Sequence, residues 1–247
     1  MSNRVDKTLT FDEKVKGWTS FHSFFPDYMI GMNNKFFTFK NGELWQHHSD
    51  NVPKNNFYGV QYDSFIDVMV NDSPSEIKEL QAISLEGNQT WSAVVQAFIS
   101  NSDDYMEGSV TAAEFVKKEG IWYAYARRNE SDIAFDSKST YGLGTISGLT
   151  ATTFELNGGS TSLCIGDTII RGSDISQIGI ITGISGSTIT LDTTTGLVDG
   201  DFVVGMKSSR IEGGNLRGYT MRVKLTNSST SDVELFAVNL EVAKSYS

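Results

Sequence analysis

Three histidines, one cysteine and a few paired carboxylates are the residues in this chain whose types could do chemistry. His47 and His48 are adjacent, so on a strand their rings point to opposite faces and do not converge on one metal ion. His22 lies far from both in sequence, and no H-E-x-x-H, C-x-x-C or facial-triad spacing accompanies any of them. They read as exposed or hydrogen-bonded side chains at a hairpin end. Cys164 stands between Leu163 and Ile165, where a small buried hydrophobe is expected. A nucleophilic cysteine needs a base, and no histidine is near it in sequence. A lone thiol also forms no internal disulfide, which fits assembly in a reducing cytoplasm.

Glycoside hydrolysis needs two carboxylates about 5–10 Å apart in a cleft. Asp103 with Asp104 and Asp199 with Asp201 are the candidates. Both pairs sit among Ser, Asn and Gly, where Asp serves turn hydrogen bonding. The Asp199-Gly200-Asp201 step lacks the further oxygen ligands of a calcium loop. Gly142, Gly144 and Gly148, like Gly183 and Gly186, precede no helix and no P-loop lysine, so they read as β-turn glycines rather than a phosphate cradle. No G-x-S-x-G elbow positions a serine. The expectation is no catalytic residue, no metal ligand and no cofactor.

The elements that would position any site are strands. Lys35 to Lys40 is aromatic-rich and ends at Asn41-Gly42, and Glu43 to His47 follows at once. This is the strongest short-range hairpin signal, because a type I′ turn needs positive φ at both central residues. Strands are also expected at 65–70, around 82–86, at 91–99 and at 121–126. Residues 112–119 read as a short helix or a strand. Residues 219–225 and 233–242 alternate well across a polar turn and read as a second hairpin with one wet face.

Composition changes near Tyr141. From Gly142 to Met206 there is no Trp or Tyr, Arg171 is the single basic residue, and Gly, Thr and Ile are dense. Short strands are expected at 162–165, 168–170, 179–184, 188–191 and 202–204, a spacing that suits a small barrel or compact sandwich. Residues 158–162 read as a turn or short linker. Residues 142–206 therefore read as an inserted β-domain. The flanks, 1–141 and 207–247, form one discontinuous antiparallel β-sandwich. A linear two-domain chain is the rival division.

The formal net charge is −10. An acidic chain without clustered Lys and Arg is a poor match for a phosphate backbone, so no nucleic-acid partner is expected. No apolar run approaches the ~18 residues of a membrane span, and the first residues lack the apolar core of a signal peptide, so neither membrane insertion nor signal-led export is expected. What remains is the aromatic block between Trp18 and Tyr58. Much of it must be core. Phe36 and Phe37 are adjacent and face opposite sides of a strand, so both sides need cover. Residues 18–25 show no clean strand alternation, and an aromatic-rich irregular segment is suited to protein–protein contact. Trp18, Phe21, Phe24, Phe25 and Tyr28 are the candidate interface residues.

Several of these runs resemble virion structural proteins of tailed phages. FDEKVKGWTSFHSF at 11–24, NNKFFTFKNGELWQHH at 33–48 and NNFYGVQY at 55–62 are similar to segments of nozzle- or muzzle-type tail-end proteins of crAss-like and marine phages. NDSPS at 71–75 with LEGN at 85–88, EFVKKEGIWYAY at 114–125, and LRGY at 216–219 with ELFAV at 234–238 extend the likeness. It covers most of 11–126 and 207–242. The resemblance implies a non-enzymatic subunit of the virion, in the tail or baseplate, or else a neck or head decoration. It implies other phage structural proteins as partners, a homo-oligomer and assembly in the bacterial host cytoplasm. A receptor- or carbohydrate-binding module at the tail tip, contacting a host-surface glycan, is the alternative. A glycan-cleaving tail enzyme is a third reading, for which the sequence offers no strong carboxylate pair.

Overall fold

The residue types that permit positive φ set the architecture of the first sixty residues. The computed structural model describes residues 7–99, 104–129, 138–158, 162–208 and 214–245. β1 (Thr8–Asp12) and β2 (Gly17–His22) form an antiparallel ribbon. β3 (Tyr28–Met32), β4 (Lys35–Lys40) and β5 (Glu43–Gln46) form a three-stranded sheet, and β6 (Asn56–Phe57) pairs with β7 (Val60–Gln61). Both turns of the sheet carry residues at positive φ: Asn33 and Asn34 at 51° and 59°, Asn41 and Gly42 at 52° and 82°. The hairpin expected over Lys35 to His48 is therefore present, with Lys40 opposite Glu43. These seven strands pair only with one another. The arm they form meets the later chain through Lys54, whose N–H donates to the Thr230 carbonyl at 2.8 Å and whose ammonium lies 3.4 Å from the Asp232 carboxylate.

The chain then enters a two-sheet sandwich with β8 (Ser64–Val70), β9 (Lys78–Gly87), β10 (Ser92–Phe98), β11 (Tyr105–Val110), β12 (Val116–Lys118) and β13 (Ile121–Ala124). A single 3-10 turn, Ala112–Glu114, precedes β12, so the ambiguous 112–119 stretch holds both a helical turn and a strand. After the barrel described below, β20 (Arg217–Gly218), β21 (Thr220–Asn227) and β22 (Leu235–Lys244) complete the sandwich. One sheet runs β11-β10-β21-β8; the other is built on β9, flanked by β13, β20 and β22. The period-2 pattern fills the space between them. Leu80, Ile83 and Leu85 of β9 face Ala93, Val95 and Ala97 of β10 and Met221, Val223 and Leu225 of β21, each at most 1% exposed. The second expected hairpin is not one. β21 pairs with β10 and β8, whereas β22 pairs with β9 in the opposite sheet. Alternation identifies a buried face but not the partner strand, and here the polar turn is a corner between sheets.

Between β13 and β20 the chain closes into a barrel: β14 (Thr140–Ser147), β15 (Thr153–Leu156), β16 (Thr168–Arg171), β17 (Ser176–Ser185), β18 (Thr188–Leu191) and β19 (Phe202–Met206), in the circular order β14-β15-β18-β17-β16-β19. Its interior holds Phe154, Ile169, Ile181, Ile189 and Val203, almost wholly shielded. Entry and exit are adjacent, since the Lys207 N–H donates to the Ser139 carbonyl at 3.0 Å. Two expectations need correction. Residues 162–165 are not a strand, and Cys164 is exposed rather than core. Gly166, at φ 98°, turns the chain there, and the Cys164 N–H is drawn to the Asp167 carboxylate at 2.9 Å, which leaves the thiol outside. Residues 159–161 of the expected linker lie outside the described residues. Every strand pairing among the described residues is antiparallel, so the all-β expectation holds.

Candidate interaction surface

Several of the residues able to do chemistry are held in structural roles. Asp199 accepts the N–H of Leu149, distant in sequence, at 2.9 Å, and Asp201 accepts the Val198 N–H at 3.0 Å within its own turn. Asp103 lies outside the described residues. No group of three or more His, Cys, Asp or Glu side chains among the described residues could hold a metal ion. Asp167 is the most buried acid among the described residues, and it binds the Lys207 ammonium at 2.8 Å, the Tyr141 hydroxyl at 3.0 Å and the Cys164 and Ser208 N–H groups. Burial pushes its carboxyl up, but the hydrogen bonds from Lys207, Cys164, Tyr141 and Ser208 outweigh burial, and the net shift is downward. It locks the mouth of the barrel where the chain enters and leaves.

All three histidines converge in the arm, which their sequence positions did not disclose. The Phe24 ring lies 5.2 Å from His22 and 4.5 Å from His47, and the Phe36 ring lies 5.1 Å from His47 and 6.2 Å from His48. His47 Nε2 is 2.7 Å from the fully buried Thr38 hydroxyl, which is 2.9 Å from the Tyr58 hydroxyl. His22 Nε2 is 2.6 Å from the Thr10 hydroxyl. Burial lowers the pKa of His47, and the nearby His48 and His22 lower it further; burial and then His48 lower that of His22. Both rings are thus biased toward the neutral form, in an aromatic nest completed by Phe57 and Tyr58. The nest joins the ribbon, through Thr8, His22 and Phe24, to the inner face of the β3–β5 sheet.

The outer faces of both pieces are open. In the ribbon, Leu9 stands opposite Phe21 and Phe11 opposite Trp18, with a bulge that skips Thr19. The bulge is the reason the sequence shows no clean alternation. It brings Trp18 and Phe21, three residues apart, onto one face with Leu9 and Phe11. The Phe11 and Trp18 rings meet edge to face at 5.3 Å. Leu9, Phe11, Trp18 and Phe21 are 37, 51, 65 and 70% exposed. In the sheet, Tyr28 stands opposite Phe39, and Phe39 opposite Leu44, while Ile30 stands opposite Phe37 on the same face. Tyr28 and Leu44 are more than half exposed and Ile30 and Phe39 about two-fifths. The chain therefore covers the Phe36 side of β4 and leaves the Phe37 side open.

Of the five residues singled out in sequence, Trp18 and Phe21 lie together on the ribbon face, and Tyr28 lies on the sheet face. Phe25 is partly exposed between them, and Phe24 is buried in the nest. Sequence reasoning did not single out Leu9, Phe11, Ile30, Phe39 and Leu44. Their opposition across known registers is the signal that groups them.

Residues 52–129 match the family model for the Crassvirus muzzle protein C-terminal domain. No curated protein matches the chain. The matched stretch runs from the end of the arm through β13 of the sandwich. Over that stretch it bears out the resemblance to muzzle-type tail-end proteins.

Proposed function

We propose that this chain is a non-enzymatic structural subunit of a tailed-phage virion, seated in the tail, that binds its neighbours through the aromatic faces of its arm. The match of residues 52–129 to a muzzle-protein domain carries the reading. The two open apolar faces support it, because a two-stranded ribbon and a three-stranded sheet are marginal alone and exposed patches of this kind mark contacts. Its partners are other virion proteins, met during assembly in the host cytoplasm. The closed barrel is proposed to be an inserted unit within a discontinuous sandwich, supported by the direct bond between Lys207 and Ser139 at its entrance. Replacing residues 140–206 with a short Gly/Ser linker is expected to leave a folded sandwich, and loss of its β-type circular dichroism would count against this division. Gold-labelled antibody against the chain is expected to decorate the tail end of intact particles; labelling confined to the head would contradict the tail position.

A receptor- or carbohydrate-binding role at the tail tip draws support from one feature. A cleft of about 490 Å³ lies beside the Asn33-Asn34 turn, with Lys35, Phe36, Gln46 and His48 among its walls. Amide and imidazole groups beside an aromatic ring suit sugar hydroxyls. Binding of the purified chain to a glycan array, lost on changing Asn34→Ala, would favour that role.

A further inference from the structure

The arm carries two apolar faces, on opposite sides of one nest. The ribbon packs on the nest through Thr8, His22 and Phe24 and exposes Leu9, Phe11, Trp18 and Phe21. The sheet packs on it through Thr38 and His47 and exposes Tyr28, Ile30, Phe39 and Leu44. We infer that the occupant of each face is the other face of a second copy of this chain, so that copies join head to tail through their arms. The inference rests on the structural-subunit reading and names its partner.

Area and charge both point to a second copy. Taking ~200 Å² per aromatic side chain, the three ribbon rings at their observed exposures leave on the order of 400 Å² of apolar surface open. A standard interface hides ~800 Å² per side, of which somewhat more than half, or about 450 Å², is apolar. The ribbon face is thus close to one complete interface side, and the sheet face offers a comparable set of four large apolar residues. Residues 1–61 hold seven Lys and Arg against six Asp and Glu, whereas the remainder holds 13 against 24. The sandwich and barrel therefore repel their own copies, and the near-neutral arm is where two copies approach without stacking like charge. The ribbon turn carries Asp12, Glu13, Lys14 and Lys16, and the sheet is rimmed by Asp27, Lys35, Lys40 and Glu43, so each face has a charge-balanced border. A ribbon-on-ribbon or sheet-on-sheet contact would leave the other face bare. One ribbon-on-sheet contact, repeated, covers both, and such a heterologous contact closes into a ring or extends as a filament.

Sedimentation velocity of the full chain and two variants tests this. Thr keeps strand propensity, so Trp18→Thr/Phe21→Thr disables the ribbon face and Tyr28→Thr/Leu44→Thr disables the sheet face with the fold retained, which circular dichroism checks. The unaltered chain is expected to form species beyond a dimer as concentration rises. Each variant alone is expected to associate about 25-fold or more weakly. An equimolar mixture of the two is expected to form a one-to-one dimer that grows no further, since each supplies the face the other lacks. A monomeric parent chain, a variant that dimerises alone, or a mixture that stays monomeric would each overturn head-to-tail joining. A monomeric chain whose ribbon variant is nonetheless lost from particles would sink this inference alone and leave the structural-subunit reading standing. A ribbon variant that enters particles in normal amount would overturn the inference, whereas an unaltered chain absent from purified particles would sink the reading on which it rests.

Discussion

The barrel and the arm invert what their compositions suggest. The barrel has no Trp, yet it shields Phe154, Ile169, Ile189 and Val203 completely and closes its own sheet edges. The arm holds the densest aromatic run in the chain, yet among its described rings only Phe24 is buried, at 5% exposure. Closure explains the difference. Six strands joined in a circle give every inward β-branched side chain a neighbour on the far wall. Two- and three-stranded pieces have an inner face that meets the shared nest and an outer face that no other strand covers among the described residues. Aromatic density therefore marks exposed surface here, which we propose is held for a partner, and Ile, Thr and Gly mark the self-sufficient core.

The sharpest way to break that contrast is to truncate one ring from each region. Phe154→Ala should cost the barrel about 3–5 kcal/mol in denaturant unfolding, because a fully enclosed ring leaves a cavity. Phe21→Ala should change unfolding by less than about 0.5 kcal/mol, as for an exposed position. Equal costs would put the arm ring in a core. Next in size is the buried ion pair at the barrel mouth. Asp167→Ala removes the carboxylate shared by Lys207, Tyr141 and the Cys164 and Ser208 N–H groups, and about 3 kcal/mol of barrel stability should go with it. A loss confined to the arm's unfolding would contradict the proposed lock. Smaller again is the arm's own turn: Gly42→Val places a β-branched residue at φ 82° and should cost about 1 kcal/mol or more, read as a lower melting midpoint.

The smallest effect is set by pH and separates the regions without mutation. His22 and His47 have folded pKa values below the ordinary 6.5, so the unfolded arm binds more protons. Their contribution to stability is complete above pH 6.5 and falls as pH drops from there toward the folded values. The arm should melt earlier at pH 5 than at pH 7.5, whereas the barrel, which holds no histidine, should not follow this dependence. Fluorescence of Trp45, which packs on Tyr58, reports the arm. Parallel pH dependence in both regions would remove the histidine nest as the cause.

Particular residues show what was legible in the sequence. Asn41-Gly42 gave its hairpin because one local rule fixes both φ signs. The change of composition falls at Tyr141, and the strands of the closed barrel run from Thr140 to Met206. The pairing of β21 and β22 was not legible, because a period of two reports which face is wet and is silent about the neighbour. The ribbon was hidden by one bulged residue, Thr19, which breaks alternation over its most exposed stretch. Cys164 looked like core because Leu163 and Ile165 flank it, but a turn at Gly166 decides its direction. Of the exposed faces, Trp18, Phe21 and Tyr28 were legible by residue type. Their partners Leu9, Phe11, Ile30 and Leu44 needed the strand registers, which are long-range facts.

The claim that the arm is surface held for virion neighbours meets its most direct test in particles. Phage carrying Trp18→Thr/Phe21→Thr should yield virions depleted of this chain, while the purified variant melts within about 2 °C of the unaltered chain, the scale of an exposed change in a protein of this size. A variant that melts markedly early yet enters virions in normal amount would place the ribbon face in the chain's own core and contradict the account.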